Sequence, residues 1–218
     1  TVRLGPNHDY DATGVTVEST SLIDPSTWWS VPFGEGDAVP VHRAQAPGHD
    51  PERYVTQRIT VPARDGTPVP VTLAWSRAAL PDGPDRSAPG LLWGYGAYES
   101  CDWPEFADAL PVWLDHGVVY ALAHLRGGGE GGRTWWEQGR LRHKVTTFTD
   151  HLDVADGLVD GGWVAPDRLA TRGLSAGGLL QGAVFTMRPD RWAAVVAEVP
   201  FVDCVNTLLD ADLPLTVT

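Results

Sequence analysis

One short stretch constrains the fold of this chain more than any other: Gly173-Leu174-Ser175-Ala176-Gly177, a serine with a glycine two residues away on each side. Residues 167–171, just before it, have the apolar content of a short buried strand, and residues 179–185 have that of a helix. A chain that turns sharply from a strand into a helix forces the apex residue into a strained backbone, so only small neighbours fit beside it. The stretch therefore predicts a serine hydroxyl exposed at a sheet edge and at a helix N-terminus.

This strand–turn–helix arrangement is the nucleophile elbow of α/β-hydrolase folds. Glycine and serine are also common in ordinary loops, and a plain glycine-rich turn is the alternative interpretation. The strand and the helix that the sequence predicts on either side of Ser175 favour the elbow.

The apolar pattern from Tyr54 onward is typical of an α/β domain. Strands are predicted at 55–61, 69–75, 90–95, 118–124 and 192–199, and helices at 106–116 and 148–159. Asp65-Gly66 predicts a hairpin turn between the first two strands, and Pro111 weakens the first helix. Alternating strands and helices with short connections predict a mostly parallel sheet that helices cover on both faces.

The first 50 residues have a different pattern. Short strands, separated by turn residues, are predicted at 15–20, 27–32 and 39–43. Three short strands do not enclose a core, so they either pack on the larger domain or are the remainder of a larger β-domain. The second interpretation is favoured, and the chain is divided into a β segment with its linker, 1–50, and an α/β domain, 51–218.

Charge and cysteine content limit the classes of partner and compartment. The net charge of −12 at pH 7 argues against binding to nucleic acid or to an anionic membrane and is compatible with a basic substrate. An acidic surface that only keeps the protein soluble is the simpler interpretation. No apolar stretch approaches the about 20 residues that cross a bilayer. Cys101 and Cys204 lie far apart, so two free thiols in a reducing, cytoplasmic compartment are expected.

A serine hydroxyl becomes a good nucleophile only when a base, usually an oriented histidine, takes its proton. In α/β-hydrolases the chain order is serine, then acid, then histidine. All seven histidines of this sequence precede Ser175: His8, His42, His49, His116, His124, His143 and His151. Three aspartates follow the strand after the elbow, earlier in the chain than the acid normally does: Asp203, Asp210 and Asp212.

Two explanations compete for the missing acid and base. Either a C-terminal segment that supplies both is absent from this sequence, or an upstream histidine serves in an unusual triad. The chain-order rule favours the first explanation, as does the abrupt end at residues 215–218. On that interpretation the 218-residue chain alone is expected to be inactive or nearly so.

Acyl transfer also requires donors that stabilise the developing oxyanion. The backbone N–H of Ala176 is one natural donor, because it follows the serine directly. The loop after the strand at 90–95 opens at the same sheet edge and offers Tyr95 and Tyr98. Aromatic packing is the alternative role for these two side chains.

Several long motifs, taken together, resemble the prolyl oligopeptidase family of serine peptidases, and within it the oligopeptidase B group. They occur in the family's order and spacing at residues 92–98, 123–130, 136–139, 148–150, 165–169 and 173–177. The runs most similar to oligopeptidase B are 187–190, 199–203 and 208–210. Residues 1–50 are similar to the last strands of the β-propeller that precedes the family's catalytic domain.

The resemblance implies a role for three residues. Ser175 matches the family's nucleophile, and Tyr95 matches the tyrosine whose hydroxyl stabilises the oxyanion together with the Ala176 amide. The implied reaction is hydrolysis of oligopeptides through an acyl-enzyme, with no metal or organic cofactor. A propeller and a C-terminal catalytic segment would complete the enzyme.

The resemblance to oligopeptidase B also implies cleavage after arginine or lysine, with acidic side chains that bind the basic residue. The group's principal carboxylates fall beyond residue 218. A second acidic pair falls near Trp103 and Glu105, so Glu105 is in register and Asp102 is displaced by one position. The alternatives are another α/β-hydrolase, such as an esterase or an acyl- or dipeptidyl-peptidase relative, and a fragment without catalytic function.

Overall fold

A computed structural model of the chain describes residues 1–210 and 212. These residues form two compact units. The first comprises Thr1–Thr56, Ala74–Asp82 and Trp103–Gly117, and the second comprises Gln57–Leu73, Gly83–Asp102 and the chain from Val118 onward. The division at residues 50 and 51 stays a prediction.

The first unit contains a four-stranded antiparallel sheet with the strands in sequence order. The strands are β1 (Val2–Leu4), β2 (Gly14–Ser19), β3 (Thr27–Pro32) and β4 (Val39–Arg43). The three predicted strands of this region are confirmed, and β1 is an additional strand that pairs with β2. The sequence did not indicate β1 because it is three residues long, and its exposed side chains show no alternation.

The first unit also contains a short helix, α1 (Leu110–Asp115). The helix was predicted to begin at residue 106. It begins at Leu110 instead, so Pro111 lies in the first turn, where its missing N–H costs no helical hydrogen bond. The carboxylate of Asp115 accepts a hydrogen bond from the Tyr54 hydroxyl at 3.2 Å and pairs with Arg53 at 3.2 Å.

A second sheet has six strands in the order β10-β9-β7-β8-β6-β5. Its strands are β5 (Tyr54–Pro62), β6 (Pro68–Ser76), β7 (Gly90–Trp93), β8 (Val119–Ala123), β9 (Leu169–Leu174) and β10 (Ala194–Glu198). β7 pairs in parallel with β8 and with β9, and β9 pairs in parallel with β10. The predicted turn at Asp65-Gly66 is confirmed: Gly66 has φ +83° and the Ala63 N–H donates to the Thr67 carbonyl.

The described residues of the second unit form four α-helices, α2 (Arg133–Glu137), α3 (Lys144–Asp160), α4 (Ala176–Met187) and α5 (Cys204–Leu209), and a 3₁₀ helix (Leu141–His143) directly before α3. The helices predicted at 148–159 and 179–185 correspond to α3 and α4. The strand predicted at 167–171 begins two residues later, at Leu169, because the Arg168 N–H donates to the Ala165 carbonyl in a turn. β10 lies at the edge of the sheet, and its residues are exposed or half-buried.

The core of the second unit is formed by β6, β7, α3 and α4, whose inward side chains are fully buried, among them Val71, Leu73, Leu92, Leu158 and Leu180. A close approach fixes the position of α3: a Cβ added to Gly157 would overlap Cγ1 of Val61 on β5. Glycine is therefore needed in the middle of a helix, where it is otherwise unfavourable.

We predict that Gly157→Ala lowers the free energy of unfolding. The gain in helix propensity is about 1 kcal/mol, whereas overpacking a well-filled core costs about 1–3 kcal/mol. Val61 is buried and β-branched, so its side chain has little freedom to move aside. Urea denaturation measures the change, and Asp160→Ala at the exposed end of α3 controls for helix propensity. A Gly157→Ala protein more stable than the original would contradict the prediction.

Candidate active site

Ser175 lies between the end of β9 at Leu174 and the start of α4 at Ala176, with φ 57° and ψ −111°. A positive φ is rare for a residue other than glycine, and the surrounding structure must hold such a residue in place. The predicted strand–turn–helix is confirmed. Ser175 is partly exposed, so its hydroxyl is available at the carboxyl end of β9.

The flanking glycines are required by close backbone contacts. A Cβ on Gly173 would overlap the backbone of Gly177, and a Cβ on Gly177 would lie 2.7 Å from the Gly94 carbonyl oxygen. A Cβ on Gly178 would lie 2.6 Å from Cα of Pro200. The turn is thus packed on three sides by main chain, which leaves no room for larger residues.

Hydrogen bonds to the next strand hold the apex itself. The Ser175 N–H donates to the Glu198 carbonyl at 2.9 Å, and the Ser175 carbonyl accepts from the Phe201 N–H at 3.2 Å. The Glu198 carboxylate pairs with the guanidinium of Arg172 on β9 at 2.9 Å. The strained residue is therefore fixed by β10 and by the segment that follows it.

One predicted oxyanion donor lies at the start of α4, and the residue that carries the other packs against this helix end. Ala176 is buried as the first residue of the helix, where a backbone N–H has no partner within the helix. Tyr95, just after β7, packs against the same turn, since a Cβ on Gly177 would lie 3.4 Å from Cα and from Cδ2 of Tyr95. Burial raises the pKa of the Tyr95 hydroxyl, which is therefore protonated and able to donate at neutral pH.

The loop that carries Tyr95 is unusual in its backbone. Three of its residues have positive φ: Gly96 at 62°, Tyr98 at 61° and Glu99 at 56°. The Glu99 N–H donates to the Gly127 carbonyl at 3.2 Å. Left-handed residues other than glycine carry backbone strain, so neighbouring structure must hold this loop in place. Here the loop after β8 does so.

The glycines of the Arg126–Glu130 motif accommodate that loop. A Cβ on Gly127 would overlap the Gly96 carbonyl, and a Cβ on Gly129 would overlap the Glu99 carbonyl. Glu130 also reaches across, because its Oε1 accepts a hydrogen bond from the Asp102 N–H at 2.9 Å. The glycines of this motif thus allow the backbone of the Tyr95 loop to pack directly against it.

A buried ion pair connects the Arg126–Glu130 motif to α3. The Arg126 guanidinium donates to both carboxylate oxygens of Asp150, at 2.9 Å and 2.6 Å, and to Asp65 at 2.6 Å. Asp150 is fully buried, and its hydrogen bonds hold the pKa of Arg126 above its ordinary value. The sequence places Asp150 in a motif but gives no sign of this contact.

The two acidic residues predicted to bind substrate lie in different units. Asp102, in the second unit, is half-buried, and burial together with the nearby Glu130 carboxylate raises its pKa to about 7. Glu105, in the first unit, pairs with Arg3 at 2.7 Å. Their role in binding stays a prediction.

Two upstream histidines are buried and have other partners. His151 Nε2 lies 2.8 Å from the Thr171 hydroxyl, and burial lowers its pKa to about 3, so it is neutral. His124 Nε2 lies 2.9 Å from the Thr72 hydroxyl and 2.8 Å from Nη1 of Arg58. The His151 ring therefore connects α3 to β9, and the His124 ring connects the end of β8 to β6 and β5.

A cavity of about 260 Å³ lies beside the elbow. Ala176 forms part of its wall, and most of the lining is apolar, including Trp136, Phe201 and Leu208. Lys144, at the start of α3, also lines it. The mostly apolar lining with few polar groups is typical of ligand sites, whereas the volume is slightly below their usual range of about 300–1,000 Å³.

Cys101 and Cys204 are free thiols, as predicted. Across residues 1–210 and 212, no helix is long and apolar enough to cross a membrane. In the same residues, no three side chains of the His, Cys, Asp or Glu type are grouped to hold a metal ion.

Comparison with known proteins identifies the family. The sequence model described as the prolyl oligopeptidase family, Peptidase_S9, matches residues 104–218, which is more than half of the chain. The chain belongs to the prolyl oligopeptidase family. The family resemblance stated from the motifs is thus confirmed.

Relatives of the family are longer than this chain. Dipeptidyl aminopeptidase BI of Pseudoxanthomonas mexicana is 46% identical over 90% of the chain, and Protease 2 of Moraxella lacunata is 37% identical over 99%. The solved structure of oligopeptidase B from Trypanosoma brucei with covalently bound antipain is 38% identical over 99% of the chain, with a TM-score of 0.91. The chain spans 27% to 31% of the length of these three proteins.

These similarities confirm the predicted fold class. The six-stranded sheet belongs to a partial α/β-hydrolase fold, and the four-stranded antiparallel sheet is the short all-β segment of propeller type that precedes it. The family consists of serine peptidases, which act on peptides.

We predict that Asp102→Asn makes the stability less dependent on pH. The pKa of Asp102 is about 7 in the folded chain, against an ordinary value of 3.8 for an aspartate in the unfolded chain. At pH values between 3.8 and about 7, Asp102 is ionised in the unfolded chain but still protonated in the folded chain. The free energy of unfolding therefore falls as the pH rises through this range. The stability of Asp102→Asn relative to the original should therefore increase from about pH 4.5 to about pH 8.

Denaturant unfolding at the two pH values measures this difference. Asp82→Asn, at an exposed position, controls for the loss of a carboxylate elsewhere on the chain. An equal effect of Asp102→Asn at both pH values would show that Asp102 titrates normally and would refute the prediction.

Proposed function

We propose that this chain carries the nucleophile and the oxyanion-stabilising groups of an oligopeptide-cleaving serine peptidase. The observation that supports this most is the position of Ser175, which is held at positive φ directly before α4, the helix whose first turn packs against Tyr95 at Gly177. A serine that merely caps a helix does not need a strained backbone with glycines on both sides.

The proposed reaction has two acyl-transfer steps. The Oγ atom of Ser175 attacks the peptide carbonyl carbon as a base takes its proton, and the carbonyl oxygen becomes an oxyanion. The Ala176 N–H and the Tyr95 hydroxyl donate to that oxygen. The amine then leaves with a proton from the same base, and water hydrolyses the acyl-enzyme to release the acid and regenerate Ser175.

The base and its orienting acid are proposed to come from residues beyond this sequence. Every histidine of the chain precedes Ser175, against the family's chain order. His124 and His151 are buried, and their Nε2 atoms lie within hydrogen-bond distance of the Thr72 and Thr171 hydroxyls, respectively. The intact enzyme would thus include a C-terminal catalytic segment and an N-terminal propeller.

The proposed substrates are oligopeptides with arginine or lysine before the cleaved bond. The similarity to oligopeptidase B supports this preference, as does the net charge of −12. Asp102 and Glu105 are the candidate carboxylates for the basic side chain. No metal or organic cofactor is required by this chemistry, and a cytoplasmic location is proposed from the two free thiols.

A second candidate is the release of dipeptides from peptide N-termini. It is favoured by one specific observation, the 46% identity to dipeptidyl aminopeptidase BI. An esterase activity and a fragment without catalytic function remain the weaker alternatives. The first two candidates share Ser175 and differ in where along the peptide the bond is cut.

We predict that Ser175→Ala abolishes peptide hydrolysis by the full-length gene product that contains these 218 residues. The expected loss is about 10⁴-fold or more, because removal of the nucleophile leaves only binding and the oxyanion donors. Rates are measured on a blocked peptide with internal arginine, on the same peptide with leucine instead, and on an unblocked peptide that can release an N-terminal dipeptide.

The panel distinguishes the candidates. Faster cleavage of the blocked arginine peptide supports the main proposal, and cleavage of the unblocked peptide alone supports dipeptide release. Ser30→Ala, at an exposed position in β3, is the matched control and should retain full activity. Activity that persists in Ser175→Ala would disprove both candidates.

We also predict that the 218-residue chain by itself does not hydrolyse an arginyl ester. The physical reason is the missing base, without which Ser175 keeps its proton. The assay must resolve a residual acceleration of about 10³-fold over water, which oxyanion donors alone can provide. If the chain turns over the ester faster than this residual rate, and Ser175→Ala removes the activity, an upstream histidine acts as the base.

A further inference from the structure

We propose that Lys144 is a positioning residue of this site, which holds the loop of Tyr95 in the orientation that stabilises the oxyanion. This inference rests on the proposed function, because it assumes that Tyr95 donates to the oxyanion. Lys144 is the only lysine of the chain, and it lies outside the motifs that indicate the family.

The contact that supports the proposal joins Lys144 to the residue after Tyr95. The ammonium Nζ of Lys144 donates to the carbonyl oxygen of Gly96 at 2.6 Å and to the Thr147 hydroxyl at 3.3 Å. Its burial lowers the pKa to about 8, so the group is still mainly protonated at pH 7. A charged donor at this distance makes a strong hydrogen bond.

No other described group replaces this donor at Gly96. The Thr147 hydroxyl lies 3.4 Å from the Gly96 carbonyl but only 2.7 Å from the Arg126 carbonyl and 3.1 Å from the Gly139 carbonyl. A hydroxyl has one proton, and the shortest contact takes it. The Gly96 carbonyl therefore depends mainly on Lys144.

Gly96 is the point at which the loop is easiest to deform. It has φ 62°, and glycine adopts many other conformations at little cost. A buried carbonyl without a donor gains free energy by turning toward another partner. A change of both φ and ψ at Gly96 would alter the path of the chain at the adjoining Tyr95, which packs against Gly177 at the start of α4.

Packing alone does not account for a lysine at this position. Both hydrogen bonds of Nζ go to neutral oxygens, and a buried ammonium carries a desolvation cost. Methionine has a similar length, would fill the same part of the cavity and would avoid that cost. Methionine lacks the donor to Gly96, which is the shortest contact of Nζ; the Phe148 ring lies farther away, with its centroid 5.8 Å from Nζ.

The test is a double-mutant cycle between Lys144→Met and Tyr95→Phe in the full-length gene product, with kcat and KM measured on a cleaved peptide. Removal of one oxyanion donor, in Tyr95→Phe, is expected to lower kcat by about 10²–10³-fold. Lys144→Met is expected to lower kcat at least about 10-fold with little change in KM, since it disturbs a donor used mainly in the transition state. The double variant should be no slower than Tyr95→Phe alone, because Lys144 acts through Tyr95.

Arg142→Met, which removes an exposed cation two residues earlier, is the control and should leave kcat unchanged. Thermal unfolding checks that each variant is folded. If Lys144→Met does not fold, Lys144→Arg takes its place in the same cycle, because it keeps the cation but moves the donor.

Two results would overturn the proposal: an unchanged kcat in Lys144→Met, or a double variant whose loss equals the product of the two single losses. If Ser175→Ala and Tyr95→Phe are inactive or slow while Lys144→Met is normal, only this inference fails. If Tyr95→Phe is fully active, the oxyanion assignment fails with it, and if Ser175→Ala is active, the proposed function itself fails.

Discussion

The structure of the site depends on one strained residue, Ser175, held at positive φ where β9 becomes α4. Such a conformation costs about 1–3 kcal/mol and persists only where neighbouring structure imposes it. Here main chain from Gly94 just after β7, from α4 and from the segment after β10 packs against the turn, and glycines at 173, 177 and 178 make these contacts possible. The result is a partly exposed hydroxyl at a helix N-terminus.

The second requirement is a loop that reaches the same point from a different strand. The Tyr95 loop contains three left-handed residues within four positions, and its backbone packs directly against the glycines of the 126–130 motif. The motif is in turn fixed to α3 by the Arg126–Asp150 pair. The elbow and the oxyanion loop are thus independent pieces of chain brought to one helix end by the order of the sheet.

Much of this arrangement could be predicted from the sequence because it follows from local patterns. Apolar runs bounded by glycine and proline located the strands of the second sheet, and the spacing of Gly173, Ser175 and Gly177 located the elbow. Predictions were less accurate at ends of elements: Pro111 lies in the first turn of a helix that was expected to begin four residues earlier, and β9 began two residues later than expected.

The partners of these elements could not be predicted, because they are contacts between distant segments. Nothing local shows that Gly127 and Gly129 lie under Gly96 and Glu99, that Glu130 accepts from the Asp102 N–H, or that Lys144 donates to Gly96. The single lysine in a chain rich in arginine suggests coding bias when only the sequence is considered, and its contact with Gly96 becomes visible only in the fold.

The proposed roles of Ser175, Ala176 and Tyr95 are tested most directly by a crystal structure of the full-length gene product after reaction with a peptide phosphonate, which forms a stable tetrahedral adduct with a serine nucleophile. We expect a covalent bond from phosphorus to Oγ of Ser175, with a phosphonyl oxygen about 2.7–3.1 Å from both the Ala176 nitrogen and the Tyr95 hydroxyl. An adduct on another residue, or a phosphonyl oxygen far from these two donors, would contradict the proposed roles.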